Sequence, residues 1–155
     1  MLGLILARHG DFAFLRSGEQ LTEKGRQEIA VTANKLKKIT EGFKVLLISS
    51  TAPRAKQSSE IIARELGLKS FGESAVITSD GIREEDPRAA LGLVRDRAED
   101  AEIIILVTHG PFVLDLVRLF GKEVLGVNHN LDDIPPTGSA TVISCTHKTF
   151  DLISP

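Results

Sequence analysis

The sequence predicts an α/β fold, a three-layer α/β/α sandwich around a mostly parallel central sheet. Short apolar runs alternate three or four times with longer segments whose apolar residues recur at helical spacing. The strongest run, residues 103–107, has five branched aliphatic side chains in a row, as expected of a strand covered on both faces. Since no repeat or linker interrupts the pattern, we expect one domain over residues 1–155.

The first half of the chain predicts two strand–helix units. Residues 2–7 are apolar and short, which indicates a buried strand. Thr22 is suited to cap a helix, and apolar residues follow it at helical spacing: Ile29, Ala33, Leu36 and Ile39. Residues 45–48 predict a second strand. Pro53 then suits the first turn of a second helix, which Gly67 ends.

The second half predicts a similar alternation that finishes in antiparallel structure. We expect, in chain order, a short strand over 75–78, an acidic loop over 79–86, a helix from Pro87 to about 99, the strand 103–107, a helix over 113–120, a loop over 122–136, and a hairpin of 139–145 with 149–153.

Composition excludes several classes of function. The net charge of −2 gives no basic surface for nucleic acid, and no stretch approaches the ~20 apolar residues of a membrane helix. Cys145 is the only cysteine, so the chain cannot form an internal disulfide or a cysteine zinc site. We therefore expect a cytoplasmic protein that binds neither nucleic acid nor membrane. The sequence does not predict an oligomeric state.

Polar residues that follow three of the predicted strands identify a candidate site. In an open parallel sheet, ligands bind outside the carboxyl ends of the strands. Arg8, His9 and Gly10 follow the first strand, and Arg54 lies one helical turn beyond the second. Thr108, His109 and Gly110 follow the strand 103–107. Two histidines and two arginines are therefore expected at one rim of the sheet.

This combination of side chains suits a phosphoryl group. Arginine binds phosphate oxygens in pairs and keeps its charge, and helix N-termini near Pro53 and Pro111 add backbone donors. One imidazole can attack phosphorus and carry a covalent phosphoryl group. The other, if protonated, can stabilise charge on the phosphoryl oxygens. A leaving group also needs a proton, for which the acidic loop offers Glu84, Glu85 and Asp86.

Several segments resemble the histidine phosphatase superfamily, which includes the phosphoglycerate mutases. The triplet 8–10 is similar to the signature of that family, 21–26 to the start of its first helix, and 49–58 to the stretch with its second pocket arginine. Residues 107–110 resemble the segment with the second histidine, and 82–84 resemble the pattern that places the acid.

The resemblance implies a phosphoglycerate mutase-like fold, a phosphatase activity and a role for each site residue. His9 would be the phosphorylated nucleophile, and Glu84 the proton donor. Arg8, Arg54, His109 and the backbone N–H of Gly110 would bind the phosphate. No metal or other cofactor is implied. The short chain resembles the SixA-type branch, so the expected partner is either a protein carrying phosphohistidine or a small phosphorylated molecule.

Three other functions stay open at this point. Asp11, Phe12 and Leu15 stand where many mutase-like members have Glu, Thr or Ser, and Asn, which disfavours a mutase. A metal hydrolase would use the histidines and the acidic loop, but the closely spaced ligand motifs of such enzymes are absent from the sequence. A non-catalytic phosphate-binding module would bind phosphate without turnover.

Overall fold

The computed structural model describes residues 1–68, 76–83 and 86–155. The strands are β1 (Gly3–Arg8), β2 (Phe12–Leu15), β3 (Gly18–Leu21), β4 (Val45–Ser50), β5 (Val76–Ser79), β6 (Ile103–Thr108), β7 (Ala140–Ser144) and β8 (Thr149–Ile153). The helices are α1 (Glu23–Thr40), α2 (Pro53–Leu66), α3 (Asp80–Arg83), α4 (Pro87–Asp96) and α5 (Gly110–Phe120), and a π-helical turn (Gly121–Leu125) follows α5 directly.

The central sheet has six strands in the order β5-β4-β6-β1-β7-β8. β5, β4, β6 and β1 are parallel, and β7 and β8 add an antiparallel edge beside β1. In register, Arg8 lies beside Thr108, and Ser49 lies beside Val107. The carboxyl ends of β1, β6 and β4 therefore meet at one edge of the sheet.

Two apolar cores lie on opposite faces of this sheet. Because side chains alternate along a strand, Leu4 and Leu6 of β1 face one core, together with α4 and α5. Ile5 and Ala7 face the other core, together with α1 and α2. Both faces are thus covered by helices, which confirms the predicted three-layer α/β/α architecture with a mostly parallel sheet.

Most element boundaries lie within a few residues of those predicted. Thr22 caps α1 by accepting a hydrogen bond from Gly25 N, and Pro53 opens α2. α4 ends at Asp96 rather than near 99, and α5 begins at Gly110 rather than at 113. The predicted acidic loop contains the short helix α3, and the predicted loop 122–136 begins inside the π-helical turn.

The hairpin of β2 and β3 was not predicted. Its strands pair antiparallel, with Arg16 and Ser17 between them, and stand outside the central sheet. A half-buried strand is recognised in a sequence by alternating apolar and polar residues. Phe14 and Leu15 are both exposed, so this segment lacks that alternation. Gln57 of α2 instead holds the hairpin by accepting a hydrogen bond from Leu21 N at 2.8 Å.

The loop after β1 packs tightly against the first turn of α1. A Cβ atom on Gly10 would overlap the carbonyl of Gly25, and one on Gly25 would overlap the backbone of Asp11. The Asp11 carboxylate also accepts a hydrogen bond from the Thr22 hydroxyl at 2.7 Å. This contact fixes where the chain leaves β1, and with it the position of His9.

Within the described residues, no helix is long and apolar enough to cross a membrane.

We predict that Gly25→Ala lowers the free energy of unfolding by about 1–3 kcal/mol, because the added methyl group can be accommodated only by moving backbone. Urea denaturation measures the change. Gly92→Ala in α4 is the matched control: a Cβ there meets no atom of the described residues within 4 Å, so it should raise stability by ~0.5–1 kcal/mol. Equal effects at the two positions would contradict the proposed close approach.

Candidate active site

The structure brings together at one sheet edge four side chains singled out in the sequence. Arg8 ends β1 and His9 follows it, Arg54 lies in the first turn of α2, and His109 precedes α5 after β6. The rings of His9 and His109 are 5.4 Å apart between centroids. Both residues are 4% exposed, so the pocket holds its imidazoles largely away from bulk water.

The guanidinium of Arg54 bridges the two histidines. Arg54 Nε donates to His9 Nε2 at 3.1 Å, and Arg54 Nη2 lies 3.1 Å from His109 Nδ1. An arginine has only donors, so both of these ring nitrogens must be unprotonated acceptors. The remaining guanidinium nitrogen, Nη1, is ion-paired with Glu19 Oε2 at 2.6 Å.

The tautomer of each histidine follows from this arrangement. His9 Nδ1 must carry its proton and donates to the Gly10 carbonyl oxygen at 2.9 Å, which leaves the lone pair of Nε2 facing Arg54. His109 Nε2 likewise carries its proton and donates to the Ser50 hydroxyl at 3.1 Å. The lone pair of His9 Nε2 is therefore directed at the Arg54 guanidinium.

Burial keeps both imidazoles neutral at physiological pH. Desolvation is the main cause that lowers the pKa of His9 from 6.5 to about 4, and the charges of Arg54 and Arg8 act in the same direction. Desolvation and the neighbouring Arg54 lower the pKa of His109 from 6.5 to about 4 as well. Before a ligand enters, the pocket therefore carries the charges of two arginines and of Glu19.

Arg8 has one donor fixed by the protein and one suited to an anion. Its Nη1 donates to the carbonyl oxygen of Pro135 at 2.6 Å, so the end of the loop 122–136 forms part of the pocket wall. Its Nε is buried and has no hydrogen-bond partner among the described residues. A buried donor without an acceptor is unfavourable, and a phosphate oxygen would satisfy it.

Gly110 allows Arg8 to lie against the N-terminus of α5. A Cβ atom at this position would come within 2.8 Å of Arg8 Cζ and 2.7 Å of the Ile134 side chain. The side chain of His109, the N-cap residue of α5, makes no capping hydrogen bond to the first backbone N–H groups of that helix. Helix N-termini of this kind attract anions.

The acidic residues predicted to supply a proton differ in what the structure says of them. Glu84 and Glu85 lie outside the described residues. Asp86 caps α4, because its Oδ1 accepts hydrogen bonds from the backbone of Arg88 and Ala89. Asp86 Oδ1 is therefore engaged at the start of α4.

Three neighbours of the pocket had no role predicted from the sequence. Glu19 binds Arg54, and the ring of Phe12 lies 4.7 Å from Arg54 Cζ and 5.2 Å from the His9 ring. Ser58 accepts a hydrogen bond from Gly10 N at 3.1 Å. Ser58 follows Arg54 by one helical turn, so the sequence could have placed it beside the pocket. Nothing in the sequence indicated the same for Glu19, because its hairpin was not predicted.

Within the described ranges, no group of three or more His, Cys, Asp or Glu side chains could hold a metal ion.

Comparison with known proteins gives a family and a fold. The model of the histidine phosphatase superfamily (branch 1) matches residues 4–103. The structure of the protein histidine phosphatase SixA complexed with tungstate is similar, with a TM-score of 0.76 and 21% identity, covering 99% of this chain and 97% of that one. SixA from Agrobacterium tumefaciens gives a TM-score of 0.77 at 20% identity, covering 99% of both chains. A mycobacterial glucosyl-3-phosphoglycerate phosphatase gives 0.67 at 16% identity, covering 99% of this chain and 97% of that one.

No curated protein sequence matches the chain significantly. The likeness to these solved structures establishes the phosphoglycerate mutase-like fold.

We predict that the buried histidines make the protein less stable as pH falls through 6.5 towards about 4. Their pKa values are lower in the folded than in the unfolded chain, so in this window the unfolded state binds more protons and is favoured. Above about 6.5 the contribution is constant. Urea unfolding across this range should show a shallower pH dependence in His9→Gln, while His147→Gln, at an exposed turn, should follow the wild type. Identical dependence in all three proteins would contradict the prediction.

Proposed function

This chain belongs to the histidine phosphatase superfamily, and we propose that it is a metal-independent phosphatase acting through a phosphoryl group on His9. Membership of the superfamily supports phosphatase activity. The observation that carries the finer proposal is the unprotonated Nε2 of His9, held 3.1 Å from an arginine that suits phosphate. The proposed substrates are phosphate monoesters or protein phosphohistidine.

The proposed reaction has two steps. A phosphoryl group displaces Arg54 from the two imidazoles and takes its Nε and Nη2 donors, which uncovers His9 Nε2. The Nε2 lone pair then forms the N–P bond while the bond to the leaving group breaks, and the leaving group takes up a proton. A water molecule attacks the phosphoryl-histidine, giving inorganic phosphate and returning His9 to its starting form.

The oxygens of the transferred group would be bound from several sides. Arg8, Arg54 and the backbone N–H of Gly110 are the proposed donors. His109 gains a proton in this scheme, since a dianion beside it favours the charged imidazole. The imidazolium then donates to a phosphoryl oxygen, which stabilises the charge that develops as the bonds exchange.

Glu84 is the proposed proton donor to the leaving group. Among the acidic run 84–86, the capping role of Asp86 favours Glu84 or Glu85 for this function. A phosphohistidine substrate would depend less on this acid, because imidazole is a better leaving group than an alkoxide. The structural similarity to SixA supports a protein phosphohistidine as one candidate partner.

We predict that His9→Ala abolishes turnover of p-nitrophenyl phosphate, with a loss of at least ~10³-fold in kcat/KM, because it removes the nucleophile. His147→Ala is the control, since His147 is exposed and lies in the turn before β8. Rapid quench with a labelled substrate should trap an acid-labile, base-stable phosphoryl label on the wild type and none on His9→Ala.

Two results would contradict the proposal. Retained turnover in His9→Ala would show that another group attacks phosphorus. Loss of wild-type activity in a chelator, with recovery on adding a divalent cation, would show that the reaction requires a metal.

We predict that Glu84→Gln slows hydrolysis of an alkyl phosphate by ~10²-fold, since an alkoxide needs a proton to leave. Hydrolysis of p-nitrophenyl phosphate should slow by only a few-fold, because nitrophenolate leaves without one. Glu85→Gln is the matched control and should affect both substrates equally. A selective loss of alkyl phosphate hydrolysis in Glu85→Gln instead would assign the donor to Glu85.

A further inference from the structure

The hairpin of β2 and β3 presents one of its faces next to the phosphate pocket. Phe12 pairs with Leu21, and Phe14 pairs with Glu19, so these four side chains share a face of the two strands. Phe12 lies against His9 and Arg54, and Glu19 reaches Arg54 Nη1. This face therefore lies where the leaving group of a bound substrate would lie.

Glu19 places a negative charge at this position. Its side chain is 20% exposed, so a ligand can reach it. Glu19 Oε2 is ion-paired with Arg54 Nη1. The other two guanidinium nitrogens, Nε and Nη2, face the histidines. Glu19 can thus keep its contact when phosphate occupies that edge, and Oε1 can meet a second positive charge.

Phe14 adds an exposed aromatic ring directly across from Glu19. The ring is 76% exposed and makes an edge contact with Phe12, with centroids 5.5 Å apart. An aromatic face beside a carboxylate attracts cations such as ammonium and guanidinium groups. The same pair disfavours a substrate with a further negative charge, because Glu19 would repel it.

We propose that Glu19 and Phe14 form a subsite for a positively charged group on the leaving portion of the substrate. This inference rests on the proposed phosphatase function and names the substrate class: phosphoryl compounds with an amine, guanidinium or quaternary ammonium near the phosphorus. The cation lies between the Glu19 carboxylate and the Phe14 ring while the phosphoryl group is bound by Arg8 and Arg54. Either a small amine ester or a basic segment of a phosphoprotein would satisfy this chemistry.

The test compares three alkyl phosphates of similar size and different charge. Phosphoethanolamine carries an ammonium, ethyl phosphate is neutral beyond the phosphoryl group, and phosphoglycolate carries a carboxylate. We expect the wild type to show a kcat/KM about tenfold higher for phosphoethanolamine than for phosphoglycolate, with ethyl phosphate between them.

Two variants test the two halves of the subsite. Glu19→Gln should bring the ratio of phosphoethanolamine to phosphoglycolate close to unity. Phe14→Leu keeps the apolar area at an exposed position and should lower that ratio by about two- to threefold. Glu60→Gln is the matched control, because it removes an exposed carboxylate of α2 that forms no ion pair with Arg54 and should leave the ratio unchanged.

The outcomes separate the subsite from the proposed function. Absence of wild-type activity on these esters and on p-nitrophenyl phosphate would overturn the proposed function and the subsite with it. Wild-type hydrolysis without charge preference would overturn the subsite alone. Slower hydrolysis of all three esters by Glu19→Gln at an unchanged ratio would also overturn it, since Glu19 would then only position Arg54.

Phosphorylated peptides distinguish the two sources of the cation. Peptides with lysine or with glutamate next to the phosphorylated residue are compared in the wild type and in Glu19→Gln. A Glu19-dependent preference for the lysine peptide supports the subsite and assigns it to proteins, and a preference confined to phosphoethanolamine supports it and assigns it to small amine esters.

Discussion

The geometry of the pocket depends on one guanidinium that donates to two neutral imidazoles. Arg54 lies 3.1 Å from His9 Nε2 and 3.1 Å from His109 Nδ1, and it can only donate. This single constraint sets the tautomer of both rings, and the outward contacts follow from it: His9 to the Gly10 carbonyl and His109 to the Ser50 hydroxyl. Burial, followed by the positive charge of Arg54, then lowers the pKa of both histidines and keeps the rings neutral.

The fold holds Arg54 in place through the first turns of α2. Ser58 donates to the Arg54 carbonyl and accepts from Gly10 N, so the helix and the loop after β1 are joined one turn beyond the arginine. Gln57 joins the same helix to the hairpin that carries Glu19. The close approach of Gly10 to Gly25 fixes the loop from the side of α1. The loop after β1 and the hairpin are thus both joined to α2, while α1 packs against the same loop.

Sequence patterns predicted the layers and the sheet edge because both follow from burial. Continuous apolar strands and capped helices have strong signals, and residues such as His9 and His109 come directly after the strands. The hairpin had no such signal, since Phe14 and Leu15 remain exposed and, among the described strands, β2 and β3 pair only with each other. The contact between Arg54 and Glu19 crosses 35 positions and depends on that hairpin, so no local pattern could reveal it. The contact between Arg8 and the Pro135 carbonyl crosses 127 positions, so a local pattern could not reveal it either.

Because Arg54 occupies the lone pairs of both imidazoles, substrate binding and activation of the nucleophile are one event in the proposed mechanism. A dianionic phosphoryl group competes for Arg54 with two neutral acceptors, and charge-assisted hydrogen bonds are the stronger ones. Once the arginine turns to the phosphate, His9 Nε2 is uncovered, while His109 is left beside new negative charge that favours its protonation. A neutral ligand could not displace the arginine in this way. In this proposed mechanism, the charge that makes phosphate a ligand for the pocket also uncovers His9 Nε2.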